Sequence, residues 1–144
     1  MQTIKAAVCH AFNTPLVVED VLLEAPKTGE VEVEVDAVAI CHSDISFQQG
    51  GFGGHLPAVY GHEAAGRITA LGDNVQGLAV GDSVCVTLVR ACGHCTSCHS
   101  GHLTTCETKA DGTRGVLKTT DGGAMLQAMA CGAFAEKVVV DQSQ

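Results

Sequence analysis

There is no tryptophan in this sequence, only one tyrosine and four phenylalanines. A core built around large rings is therefore excluded, and Val, Ala, Leu and Ile must fill the interior. Proline is scarce at three residues while glycine is abundant at seventeen, which points to many turns between short strands rather than to a helical bundle. Basic residues are few: eight Lys and Arg stand against sixteen Asp and Glu, for a net charge of −8. With no basic run or stripe, a nucleic-acid surface is excluded. No stretch approaches the ~18 apolar residues of a membrane span, so no membrane partner is expected. The apolar run after residues 1–5 is too short for a secretory leader. The expected setting is the cytoplasm, where thiols stay reduced, and the eight cysteines there point to metal rather than to disulfides. At 144 residues the chain has the size of one ordinary domain.

Taken in order, residues 5–11 and 16–24 read as two opening strands separated by a turn at Asn13-Thr14-Pro15. The clearest periodic signal follows. Val31, Val33, Val35, Ala37 and Ala39 alternate with Glu32, Glu34 and Asp36, the pattern of a half-buried strand with one acidic, solvated face. The alternation fails at Val38 and Ile40, as expected of a strand running into the interior and delivering Cys41 to a buried place. Ser43 reads as the N-cap of a short helix ending at Gln49. The loop Gly50-Gly51-Phe52-Gly53-Gly54 does not meet the G-x-G-x-x-G spacing and lacks the strand–turn–helix context of a dinucleotide fingerprint. Residues 58–71 read as one strand carrying His62, and 83–89 as another. Residues 107–132 read as irregular, with a short helix near 125–129, and 133–141 as a closing strand. Short strands with glycine turns predict a barrel-like β domain.

Two sets of residues carry chemistry. Cys92, Cys95, Cys98 and Cys106 form C-x2-C-x2-C-x7-C within fifteen residues. Four thiolates at such spacing can close a tetrahedron around zinc and leave no open position, which marks a structural site. The residues between them are nearly all polar or glycine, so ligation would be the main force folding the lobe. Disulfides suit this spacing poorly. An iron–sulfur site competes, but there the fourth Cys typically follows three residues and precedes Pro, whereas Cys106 follows seven and precedes Glu107. The second set is Cys41 and His62, a thiolate and an imidazole of the kind a catalytic zinc uses, typically with one further protein ligand and an open position. Of the remaining cysteines, Cys9 and Cys85 lie in apolar strand patterns and read as core, and Cys131 is a poor ligand candidate.

The order Cys41-His42-Ser43-Asp44, then Gly61-His62-Glu63-Ala64-Ala65-Gly66 with Gly72 and Val75, then the Cys lobe, resembles the zinc-dependent medium-chain alcohol dehydrogenases. The resemblance extends to the closing Gly132-Ala133-Phe134-Ala135-Glu136. It implies a mainly β fold, a GroES-like twisted, partly open barrel over 1–144 with a zinc lobe at 90–107. It also implies that Cys41 and His62 ligate the catalytic zinc, and that Ser43 hydrogen-bonds the substrate alcohol and starts its proton relay. Asp44 would orient His62, Glu63 would stand beside the zinc, and His42 would lie near the coenzyme pyrophosphate. Family members often carry a His three residues past this Ser; here Ser46 stands there, which leaves the proton path open or routed through water.

The implied reaction interconverts a small alcohol and an aldehyde or ketone, with hydride exchanged with NAD or NADP. A complete member is more than twice as long. Its Rossmann coenzyme domain and its third catalytic zinc ligand, a Cys, have no counterpart in these residues. The expectation is a catalytic domain that holds one structural zinc firmly, binds the catalytic zinc weakly or not at all, and is inactive on its own; the alternative is a non-enzymatic zinc-binding structural or interaction module. Oligomeric state is left open, since the coenzyme domain commonly makes the dimer contacts in the family.

Overall fold

The alternation around residue 33 forms an inner strand of a four-stranded sheet. The computed structural model describes residues 1–108 and 115–144. The elements run β1 (Gln2–Cys9), β2 (Val17–Leu23), β3 (Glu30–Val38), α1 (His42–Gln48), β4 (Ala58–Val59), β5 (Glu63–Leu71), β6 (Ser83–Thr87), α2 (Thr96–His99), β7 (Leu117–Lys118), β8 (Ala124–Gln127) and β9 (Lys137–Asp141). One sheet closes as a barrel in the order β1-β2-β7-β8-β4, and the other has the order β6-β5-β3-β9. All pairings are antiparallel except β4 with β8. Ile4, Val8, Val21, Leu23, Val59, Leu117 and Met125 fill one core cluster, and Val31, Val33, Ile68, Val86 and Val138 another. The mainly β, barrel-like architecture expected from the sequence is the one observed.

Several local readings are corrected. The acidic face of β3 is not solvated at its start: Glu30 and Glu32 are buried, and only Glu34 and Asp36 face water. Glu32 is tolerated inside because Lys137 Nζ donates to its carboxylate at 2.8 Å and Thr69 Oγ1 at 2.6 Å, with Gln2 Nε2 as a third donor. Burial pushes its pKa up, but the bonds from Lys137 and Thr69 outweigh that and hold it below the ordinary value. At the other end Ile40 is 75% exposed rather than interior, and Cys41 is half-buried.

Residues 58–71 do not make one strand. They break at 60–62, where Gly61 adopts φ +92° and the chain passes so close to Phe134 that a Cβ would lie 2.8 Å from its backbone N. Residues 125–129 hold the end of β8 and a 3-10 turn (Ala128–Ala130) instead of an α-helix. The irregular reading of 107–132 gives way to β7 and β8, while its part over 109–114 lies outside the described residues. Cys9 is core as expected, but Cys85 is exposed, because it falls on the outer face of β6.

Gly66 shows how tightly β3 and β5 meet at the bulge near Val35. A Cβ there would stand 2.0 Å from the Glu34 carbonyl oxygen. Because the obstacle is backbone, Gly66→Ala should exceed the ~1–3 kcal/mol of ordinary overpacking. The shift of the urea unfolding midpoint at constant slope measures it.

Candidate metal centres

Cys41 and His62 reach one another because Asp44 binds the segments that carry them. Cys41, in extended conformation, is the N-cap of α1, so Ser43 lies in the first turn and is not the cap. Asp44 stands at the third helical position, where a carboxylate can turn back to the N-cap backbone. Its Oδ2 accepts the Cys41 N–H at 3.0 Å, and its Oδ1 accepts the Gly61 N–H at 3.0 Å. The same Oδ1 lies 3.2 Å from His62 Nδ1. Asp44 and His62 are 3% and 4% exposed, so these bonds are shielded from water. With Asp44 accepting the Nδ1 proton, Nε2 is left with a free lone pair. Nε2 faces Ser43 Oγ at 3.5 Å and Glu63 Oε1 at 3.6 Å.

The ligand atoms of Cys41, His62 and Glu63 all lie within 4.8 Å of one another. This is a thiol, an imidazole and a carboxylate, each a donor that zinc accepts. Sequence reasoning identified two of them as ligands and set Glu63 beside the metal; the geometry brings all three into one cluster. The signal was the adjacency of His62 and Glu63 where the chain enters β5, the imidazole buried and the carboxylate half-exposed. Half of the Glu63 side chain is exposed, leaving it room to move. His42 is exposed in the first turn of α1, and no described contact of the cluster involves it. Phe47 anchors the helix to the barrel, its ring 5.9 Å from that of Tyr60.

The four lobe cysteines also converge, all four sulfurs lying within 4.8 Å of one another. Cys92 Sγ and Cys98 Sγ are 4.0 Å apart, against the separation of about 3.8 Å that Zn–S bonds of about 2.3 Å impose in a tetrahedron. The donor set therefore fits zinc. Backbone and hydroxyl donors surround it: Cys92 N–H donates to Cys106 Sγ at 3.3 Å and Cys98 N–H to Cys95 Sγ at 3.4 Å. The Thr108 hydroxyl, helped by the His94 N–H, holds the Cys92 thiol down at about 5. The Glu107 N–H is the main cause lowering Cys95, while burial pushes Cys98 up to about 11. Four neighbouring thiols resist ionising together without a cation to neutralise them, and a bound metal removes that resistance. Cys131 is buried elsewhere, its thiol donating to the Thr87 carbonyl at 3.2 Å and pushed up to about 12 by burial.

Residues 27–144 match the family described as the alcohol dehydrogenase GroES-like domain. The chain belongs to that family. It is 33% identical over 148 aligned positions to the "CYP enzymes assisting alcohol dehydrogenase" of Catharanthus roseus, covering 96% of this chain and 39% of the relative. The crystal structure of an alcohol dehydrogenase zinc-binding domain protein from Burkholderia ambifaria superposes with a TM-score of 0.88 at 34% identity, over 98% of this chain and 40% of that one. An Escherichia coli protein described as a short chain alcohol dehydrogenase, solved with NADH, matches at 32% identity and a TM-score of 0.74, over 99% of this chain and 37% of that one. The GroES-like domain seen here thus spans about two-fifths of the length of such relatives, and corresponds to their N-terminal, zinc-binding part.

Proposed function

We propose that this chain is the catalytic half of a zinc-dependent, NAD(P)-linked alcohol dehydrogenase acting on a small alcohol or aldehyde. The observation that carries the reading is the Cys41–His62–Glu63 cluster, with Asp44 fixing the imidazole from behind, alongside a separate and complete four-cysteine set. Zinc bound by Cys41, His62 and Glu63 would supply Lewis-acid polarisation of the substrate oxygen. The chain's own residues do the rest. Asp44 keeps the His62 proton on Nδ1 and ties Cys41 and Gly61 to the same carboxylate. Ser43, its Oγ beside His62 Nε2, is placed to accept the proton of a substrate hydroxyl and pass it outward. Ser46 accepts the Gly51 N–H on its backbone carbonyl and so ties the end of the helix to the loop that follows. His42, exposed at the first turn, is free to meet a coenzyme phosphate. The NADH held by one relative supports a nicotinamide partner.

The test is metal content. The purified chain should hold about two zinc ions, and Glu63→Ala should hold about one, with the loss confined to the weaker site. Retention of both by Glu63→Ala would overturn the assignment of Glu63 as a ligand. The chain alone, lacking the G-x-G-x-x-G fingerprint, should not oxidise simple alcohols with NAD or NADP. A single zinc that only the lobe mutations remove would show that Glu63 does not complete the second site.

A further inference from the structure

The lobe's short helix α2 is capped in an unusual way. Its N-cap is Cys95, whose sulfur already accepts the Cys98 N–H at 3.4 Å and belongs to the four-cysteine cluster. An N-cap side chain ordinarily serves the N–H groups of the second or third helical residue. Here the sulfur serves the third, and the second, Ser97, is left to find another acceptor. That acceptor comes from ten residues downstream. Glu107 Oε1 takes both the Ser97 N–H and the Ser97 hydroxyl, each at 3.1 Å. The Ser97 carbonyl in turn accepts the His102 N–H at 2.9 Å. Ser97 is thus held on both sides, between the ligand candidates Cys95 and Cys98.

Glu107 also follows Cys106 directly in the chain, and its backbone N–H faces the Cys95 sulfur. One residue therefore links the last cysteine of the set to the helix that Cys95 caps and Cys98 belongs to. Electrostatics gives the arrangement a further meaning. Four thiolates around a divalent cation carry a net charge of −2, so a carboxylate nearby is repelled by the loaded centre. Its presence is explained by the bonds it accepts and not by its charge.

We propose that Glu107 is a positioning residue for the four-cysteine metal site, a clasp that sets the distance between Cys106 and the Cys95–Cys98 helix. The proposal rests on the reading of the lobe as a zinc site. Outer partners of metal ligands typically contribute about 10–100-fold to metal affinity, and the exposed Ser97–Glu107 bonds belong at the low end of that range.

The experiment follows zinc transfer from the purified chain to a colorimetric chelator in excess. Glu107→Ala should release the lobe zinc about tenfold faster than the parent. Glu107→Gln keeps an acceptor oxygen and removes the repelled charge, so it should release at the parent rate or more slowly. Ser97→Ala keeps the N–H bond and should fall between. The sulfur-to-metal bands of the cobalt(II)-loaded lobe should shift in Glu107→Ala and not in Glu107→Gln, which a loss of general stability would not produce. Parent-like release by Glu107→Ala overturns the clasp, as does Glu107→Gln behaving like Glu107→Ala. Should Glu107→Ala fail to fold, parent-like release by Ser97→Ala overturns it in its place. A parent chain that carries no lobe zinc overturns both the clasp and the zinc reading, whereas a loaded parent with an unchanged Glu107→Ala overturns the clasp alone.

Discussion

Cys98→Ser should remove one zinc from each chain and unfold the lobe while leaving the barrel standing. Cys98 is the most enclosed of the four lobe cysteines and one of the lobe's few buried side chains. Leu103, the lobe's main aliphatic residue, is 50% exposed, so no apolar core among the described residues holds 92–106 together. Structural zinc sites bind with an apparent ~10–16 kcal/mol that serves as folding free energy. A Ser hydroxyl in place of one thiolate leaves three ligands and a poor neutral donor, and the site loses its closed tetrahedron. The barrel core, built from β1, β2, β4, β7 and β8, shares no residue with the lobe. Elemental analysis after dialysis should read one zinc fewer than the parent. Amide exchange should show protection lost across α2 and kept in β1 and β2. A Cys98→Ser chain that keeps its zinc and its lobe protection would refute the structural-site assignment.

The second large effect concerns Asp44. Asp44→Ala removes the acceptor of two buried donors, the Gly61 N–H and the His62 Nδ1–H, and of the part-buried Cys41 N–H. Each orphaned buried donor costs about 1–3 kcal/mol, so the variant should lose roughly 3 kcal/mol or more, a large part of a typical total of ~5–15 kcal/mol. Urea unfolding measures it directly.

Asp44→Asn separates folding from metal binding. Its single oxygen can stay with Gly61 and His62, but then its amide N–H groups confront the Cys41 N–H across 3.0 Å. If the amide turns the other way, it presents N–H to His62 Nδ1 and forces the proton onto Nε2, where a metal must bind. Either way one ligand is misplaced. Asp44→Asn should therefore fold, keep the lobe zinc, and bind the second zinc about 10–100-fold more weakly. Parent-like affinity on zinc titration would show that Asp44 does not position these ligands.

Legibility varied with the range of the interactions involved. The strand around Val33 was legible because its alternation reports a local backbone period. The burial of Glu30 and Glu32 was not, because the partners of Glu32 come from Gln2, Thr69 and Lys137, on three other strands. Ile40 was read as interior from its apolar side chain, yet it sits past the end of β3 where nothing described covers it. The continuous strand expected over 58–71 fails at Gly61, since the chain there bends around Phe134, more than seventy residues downstream. Ser43 looked like a cap by residue type. Cys41 holds that place because Asp44, at the third position, bonds back to it.

Residues 40–66 show the same division at the candidate site. The sequence by itself determined the lobe's candidate ligand set, since four cysteines within fifteen residues can meet whatever the rest of the chain does. It also determined which residue types stand near position 62. That Cys41, His62 and Glu63 share one cluster was decided only by the tertiary structure. Cys41 is twenty-one residues from His62 in the chain, a separation at which spacing carries no geometry. A single buried carboxylate, Asp44, closes that distance by accepting hydrogen bonds from the Cys41 and Gly61 backbone and from the His62 ring.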